Sequence, residues 1–392
     1  MRFPGWPEFV EGYWEKRPLV IRQPPARRII SSDRTFQGLR KISELYRAGD
    51  SEVALDFYVD QTNVGGNVGK HLPRRQDQSV SRYSKRLKRS IHGRSFGLVA
   101  GNFHAYEPEI WLRTRDYLYG LFEQTGIPGN KTTTALFLGD YPTTPFGLHA
   151  GDAATFVFVI EGRKRIRVWP PGILDGRPNL GGAQHYQEHL HGSIILEGTP
   201  GDVFYWPSQY WHIGESVTGK LAVSLSVAIF LNSTSAGSKT KSRYPVRIDG
   251  IQKTARKLGR MARPRKSQVR WLNNLSGWGF ARVPLPAEET IALQDQFTVG
   301  GNPRYPVLWM PAGKGEIICS SNGHAFSVAA HPKLLKLFEH LNSGKTASVL
   351  QLIEKYAGSV VRNGIEFAAT RGDIRKVLEK LERLRAISVI TR

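Results

Sequence analysis

The sequence predicts a mainly β protein, with an antiparallel sandwich or barrel at its centre, α/β elements before it and a helical α+β unit after it. Three observations carry this. From Thr132 to about Leu231, short apolar runs are punctuated by Gly and Pro at the spacing of strands. The first 130 residues mix helical and alternating patterns. The last hundred return to amphipathic helices with short strand-like runs between them.

In chain order, Trp14 to Arg22 reads as a helix end running into a short strand. Phe36 to Tyr46 has helical spacing, and Val53 to Val59 alternates as a strand. Residues 70–94 show little apolar periodicity and read as a basic surface loop. Glu109 to Glu123 is helical, and Gly126 to Gly129 stops it. The central strands are Thr134–Leu138, Thr155–Ile160, Arg165–Trp169, Ser193–Leu196, Val203–Trp206 and Ala222–Phe230. Leu334–Leu341, Ala347–Tyr356 and Ile374–Leu384 are amphipathic helices, with strands at Ile365–Ala368 and Ala386–Ile390. That order is winged-helix-like. The expected organisation is therefore N-terminal α/β elements over 1–130, a core over 131–232, a basic linker or arm over 233–270, and a winged-helix-like domain over 271–392.

Of the net charge of +22, nineteen come from two runs. Residues 70–94 hold nine Lys/Arg against Asp77 alone, and residues 238–270 hold twelve against Asp249 alone. Such runs call for an acidic partner: a peptide with an acidic leader or, as the second choice, a nucleic acid. Solvated linkers without a partner are the plainer reading. No apolar run approaches the length of a membrane span, so no membrane association is expected. Cys319 is the only cysteine, which excludes an internal disulfide and a thiolate metal cluster. A cytoplasmic setting is expected from that and from the missing secretory signal.

Two histidines at strand edges carry the chemistry. His149 follows Pro145-Phe146-Gly147-Leu148, and His212 ends a run of aromatics from Phe204 to Trp211. Two imidazoles can hold a divalent metal and leave positions open on it. Lys164, fifteen residues after His149, would point into the barrel and need an anion to offset its desolvation.

These motifs resemble the JmjC-type, cupin-like Fe(II)/2-oxoglutarate oxygenases, and within them the bacterial and ribosomal-type protein hydroxylases. The likeness starts at Tyr13 to Arg22 and is strongest over Thr144–Pro171 and Pro200–Ser216. It implies a double-stranded β-helix (cupin or jelly-roll), with His149 and His212 as ligands of Fe(II). It implies Lys164 as the anchor of the 2-oxoglutarate carboxylate, Thr155 as a further co-substrate contact, and O2 as oxidant. Ser224 or Ser226 is a candidate for another contact. The family often has a hydroxyl side chain three residues before the first histidine, where this chain has Phe146. In the relatives a C-terminal winged-helix-like region serves dimerisation or packing, which implies a homodimer through that domain.

One position departs from the pattern. Where the family has His-x-Asp/Glu, with the acid as third ligand, this chain has His149-Ala150-Gly151. Asp152 is one residue later, and in an extended segment it points to the opposite face unless a bulge re-aims it. Fe(II)/2-oxoglutarate halogenases replace the acid with Gly or Ala and so make room for chloride. The first expectation is therefore a halogenase chlorinating a peptide or protein side chain. The alternative is a hydroxylase of the same family, with Asp152 or water in the third place. The third reading is a non-catalytic module that binds nucleic acid or peptide. Asp152 has a structural alternative, pairing with Arg163 or Arg165. His185 and His189 are four apart and would share a helix face, but the glycines flanking them favour a loop. His104, His324 and His331 have no partner pattern and are read as structural.

Overall fold

The computed structural model describes residues 3–22, 29–176, 186–231, 245–258, 266–289, 291–313, 315–362 and 365–391. The chain forms two compact units, Met1–Pro245 and Val246–Arg392.

The first unit opens with α1 (Trp6–Gly12), β1 (Leu19–Ile21), α2 (Ser32–Arg47), β2 (Leu55–Val59) and β3 (Thr62–Asn63). After these come α3 (Val68–His71), α4 (Val80–Ser90), β4 (Phe96–Gly101) and α5 (Pro108–Thr125). Eight strands follow: β5 (Lys131–Gly139), β6 (His149–Ala150), β7 (Ala153–Glu161), β8 (Lys164–Trp169), β9 (Ile194–Gly198), β10 (Val203–Trp206), β11 (Trp211–Ser216) and β12 (Ala222–Phe230). They form two antiparallel sheets. The major sheet runs β1-β10-β7-β12-β5-β4-β2-β3, and the minor sheet β6-β11-β8-β9. From β5 to β12 the chain changes sheet at every step except β8 to β9. This is the winding of a double-stranded β-helix, the expected core. The N-terminal strands do not form a layer of their own: β4, β2 and β3 extend one edge of the major sheet and β1 the other.

Strand β7 shows why its sequence is almost continuously apolar: both of its faces are covered. Val157 and Val159, with Phe204 beside them on β10, face across the sandwich to Ile166, Val168 and Leu196. Phe156 packs against Trp6 and Phe9 of α1, and Phe158 against Tyr117 of α5. The aromatic-rich N-terminus thus seals the outer face of the major sheet.

Two expectations are corrected. Residues 70–94 are not a loop but contain α3 and α4. Val80, Tyr83 and Leu87 of α4 are buried at helical spacing, and the Ser79 hydroxyl accepts from the Arg82 amide to cap the helix. Dense basic residues between those three positions masked the period. The linker assigned to 233–270 holds α6 (Ile251–Leu258), which buries Ile251 and Ala255, and the start of α7 (Lys266–Ser276). Residues 232–244 and 259–265, the rest of that segment, lie outside the described residues.

The second unit continues with β13 (Thr298–Gly301), β14 (Leu308–Gly313), β15 (Glu316–Ser321), β16 (His324–Ala329), α8 (Pro332–Asn342), β17 (Thr346–Ser348) and α9 (Val349–Tyr356). It ends with β18 (Gly358–Arg362), β19 (Ile365–Ala369), α10 (Arg371–Arg383) and β20 (Ile387–Thr391). Leu337, Phe338, Leu352, Ile374 and Leu378 form the centre of its core. The three helices stand where their periodicity placed them. The strands pair as a β18–β19 hairpin and, separately, as β17-β13-β20 and β14-β15-β16. No described helix is long and apolar enough to cross a membrane.

Candidate metal and co-substrate site

His149 and His212 are directly opposite each other on the paired strands β6 and β11. Their ring centroids are 4.1 Å apart. Each Nδ1 donates to a backbone carbonyl two residues back: His149 to Gly147 and His212 to Tyr210, both at 3.1 Å. That bond fixes the tautomer and leaves each Nε2 with a free lone pair, the state in which imidazole binds a metal. Gly147 has a positive φ of 72°, a conformation glycine adopts without strain, and its turn brings the carbonyl under the ring. Burial drives both imidazoles towards the neutral form. His212 is pulled down to about 3, chiefly by desolvation and next by His149, and His149 is lowered by desolvation. Phe146 meets His149 edge-on at 5.0 Å, and Trp206 lies 4.9 Å from His212. The pair thus sits in an aromatic wall that limits water.

Among the described residues no acidic side chain takes the third position. A Cβ at Gly151 would meet only His212 Cε1, at 3.7 Å, so a side chain there would turn towards the histidines. Asp152 is exposed on the other side, where Gln209 Nε2 donates to its Oδ1 at 2.8 Å. The expected pairing of Asp152 with Arg163 or Arg165 is not what holds it. Those arginines bind Glu197, and Arg165 also binds Glu215. Among the described residues no group of three His, Cys, Asp or Glu side chains is arranged to hold a metal. Two neutral imidazoles beside an open space fit a metal that takes its remaining ligands from small molecules.

Lys164 starts β8, where it pairs with Ser216, four residues along β11 from His212. At about 3.3 Å per residue the backbone of Lys164 is roughly 13 Å along the sheet from His212, and the side chain reaches back to bring Nζ 3.4 Å from where a Cβ on Gly214 would stand. Lys164 is 2% exposed, and its Nζ donates to the Tyr141 hydroxyl at 2.9 Å. Among the described residues no carboxylate pairs with it. Burial pulls the ammonium down to about 7, and Glu215 offsets this only in part. The oxygens of Glu215 are occupied by Arg165, Arg167 and Tyr186. An uncompensated buried ammonium is a receptor for an anion.

Sequence reasoning missed two residues here. Tyr141 is the hydroxyl partner of Lys164. Gly214 lies between His212 and Ser216 on the same strand face, and a Cβ there would come within 2.9 Å of Thr144 Cγ2 and 3.4 Å of Lys164 Nζ. Glycine keeps that space open, and a glycine inside a strand was the available signal. Thr155 faces inward but lies at the histidine end, opposite Trp206, and its hydroxyl donates to the Ala153 carbonyl at 3.2 Å. It is not beside Lys164. Ser224 and Ser226 stand opposite Val159 and Val157 on the inward face of β12, with Ser224 nearer the ammonium end.

The rings of His104, His324 and His331 are engaged within the fold. His104 Nδ1 bonds Thr134 Oγ1 at 2.9 Å, His324 Nε2 bonds the Pro284 carbonyl, and His331 caps α8 by accepting from the Lys333 amide. The His189 carbonyl accepts from Trp169 Nε1. His185 lies outside the described residues.

No family model matches the chain. A bifunctional lysine-specific demethylase and histidyl-hydroxylase of Drosophila erecta is 28% identical over 39% of this chain and 24% of its own length. Ribosomal oxygenase 1 of Rattus norvegicus is 22% identical over 58% of this chain and 35% of its own. The chain thus spans about a quarter to a third of the length of these relatives. A ribosomal oxygenase from Escherichia coli in complex with cobalt and 2-oxoglutarate aligns over 98% of both chains at 15% identity, with a TM-score of 0.47.

Proposed function

We propose that the first unit is an Fe(II)- and 2-oxoglutarate-dependent oxygenase-type enzyme that functionalises a C–H bond on a peptide or protein side chain. The observation that carries this reading is the facing pair His149 and His212 with, on the same face of the minor sheet, a buried ammonium that no described carboxylate pairs with. His149 and His212 would hold the metal through Nε2. Lys164, steadied by the Tyr141 hydroxyl, would hold the distal carboxylate of the co-substrate. Iron with 2-oxoglutarate and O2 supplies the oxidising chemistry. The chain's own part is to fix both imidazoles through backbone carbonyls, to keep the path beside Gly214 open, and to exclude water with Phe146 and Trp206.

For the outcome of the reaction we propose halogenation, with chloride in the space that Gly151 leaves open. That space and the diversion of Asp152 to Gln209 support it. Product mass tests it: omission of chloride should remove the modification, and bromide should shift the mass accordingly. Gly151→Asp should lose the halogenated product, gain a hydroxylated one, and bind metal more tightly. The second reading is hydroxylation with water in that space. It is favoured by the likeness to proteins named for histidyl hydroxylation and ribosomal oxygenation, and it predicts a product mass indifferent to halide. Those names also favour a substrate belonging to the ribosome.

The pH dependence of co-substrate binding follows from Lys164. The ammonium of the free protein titrates near pH 7, whereas a bound carboxylate keeps it charged. Between pH 7 and 9, binding takes up a proton, and the apparent Kd for 2-oxoglutarate should rise by up to about tenfold per unit. Calorimetry in buffers of different ionisation enthalpy reads that proton directly. Binding that is flat with pH and without proton uptake contradicts this role for Lys164.

A further inference from the structure

The first unit carries a basic face, and we infer that it docks the phosphate backbone of RNA. Six exposed side chains build it: Lys70, Arg74 and Arg75 around the turn after α3, and Arg82, Lys85 and Arg89 along α4. None of the six is paired with a carboxylate among the described residues. The three on α4 are at positions i, i+3 and i+7, one stripe opposite the buried Val80, Tyr83 and Leu87.

The scaffold under these charges is held in place. Arg86 binds Asp77 through Nε and Nη2 at 2.7–3.0 Å, so the one acid in the run is 3% exposed and already neutralised. Arg47 donates to the carbonyls of Leu72 and Pro73, and the Tyr83 hydroxyl to that of His71. The inward side of the turn is thereby saturated, leaving Arg74 and Arg75 outward. Lys88 pairs with Asp140, the residue before Tyr141, which pins α4 at the ammonium end of the sandwich rather than the histidine end. The face therefore stands at the other end of the sandwich from the histidine pair.

Its composition selects the occupant. Every exposed residue between Lys70 and Arg94 is polar, basic or glycine. Docked peptides take much of their affinity from apolar or aromatic anchors, which this surface does not offer. Phosphates need only cations in a fixed array, and arginine suits them through its bidentate fork. No exposed Phe, Tyr or Trp lies within that span to stack bases, and the one exposed ring is the imidazole of His92, so the contact is chiefly with the backbone and independent of sequence. The choice of RNA over DNA rests on the ribosomal reading of the substrate.

The test is anisotropy of a labelled RNA duplex about 20 base pairs long, roughly two helical turns, titrated with the full chain without metal or 2-oxoglutarate. The readout therefore survives failure of the enzyme reading. Wild type should bind with a steep salt dependence, at least as tightly as to a DNA duplex of the same sequence. Arg82→Gln/Lys85→Gln/Arg89→Gln should weaken binding at least about tenfold and flatten the log–log salt slope by about 2–3. Its turnover of 2-oxoglutarate should be unchanged. Three results each overturn the proposal: wild-type affinity and slope in the triple variant, displacement of the RNA by poly-glutamate at equal charge, or preference for the DNA duplex.

Discussion

Alanine at His212 is expected to abolish metal binding by the first unit. Among the described residues two side chains converge on the site, so removing one leaves a single imidazole. Changes to the partners that merely orient a metal ligand cost about 10–100-fold in affinity, so loss of the ligand itself should exceed the top of that range. His149→Ala should behave the same way, because the two rings face each other across one strand pair. The ring of His212 also packs against Trp206, so alanine leaves a small void. Asn at 212 fills more of that space and should still fail to bind. A fall in Tm of only a few degrees, with binding gone, separates loss of the ligand from loss of the fold. Retention of wild-type metal affinity by either alanine variant contradicts the assignment.

Lys164→Met should produce two effects of opposite sign. Charge-assisted hydrogen bonds contribute about 1.5–3 kcal/mol, so 2-oxoglutarate should bind about 10–150-fold more weakly. The free protein, however, should become more stable, because methionine fills similar volume without desolvating a charge. The pH profile of stability carries the same signature. Unfolded lysine holds its proton up to about pH 10.5, whereas folded Lys164 releases it near 7. Between those values the unfolded state binds more protons, so wild-type stability should rise with pH. That contribution is lost as the pH falls towards 7, and the Met variant should lack it. Denaturant melts at pH 7 and 9, together with calorimetric titration of the co-substrate, read both effects. Unchanged 2-oxoglutarate affinity in Lys164→Met removes the anchor from the account.

The core was legible because its strands are short, apolar and punctuated, and because β7 and β12 are too apolar to belong anywhere but a covered sheet. The candidate site was legible where a residue type suits the proposed chemistry: two imidazoles, which β6 and β11 bring face to face, and a buried lysine. Tyr141 was not, since its role depends on β5 ending beside the start of β8, which local pattern does not reveal. α4 was misread because its core-facing Val80, Tyr83 and Leu87 are spaced among five basic residues, and composition overrode period. Residues 251–258 failed for the same reason, a basic helix read as a tether. The direction of Asp152 was readable from strand alternation alone, but the Gln209 amide that holds it, on a residue with positive φ, was not.

X-ray absorption at the cobalt edge of Co(II)-loaded protein tests the central claim most directly. The account predicts one ion per chain with two imidazole ligands and otherwise oxygen or halide neighbours, and loss of the imidazole scattering when positions 149 and 212 are both alanine. Cobalt bound without imidazole, or a spectrum that the double substitution leaves unchanged, contradicts it.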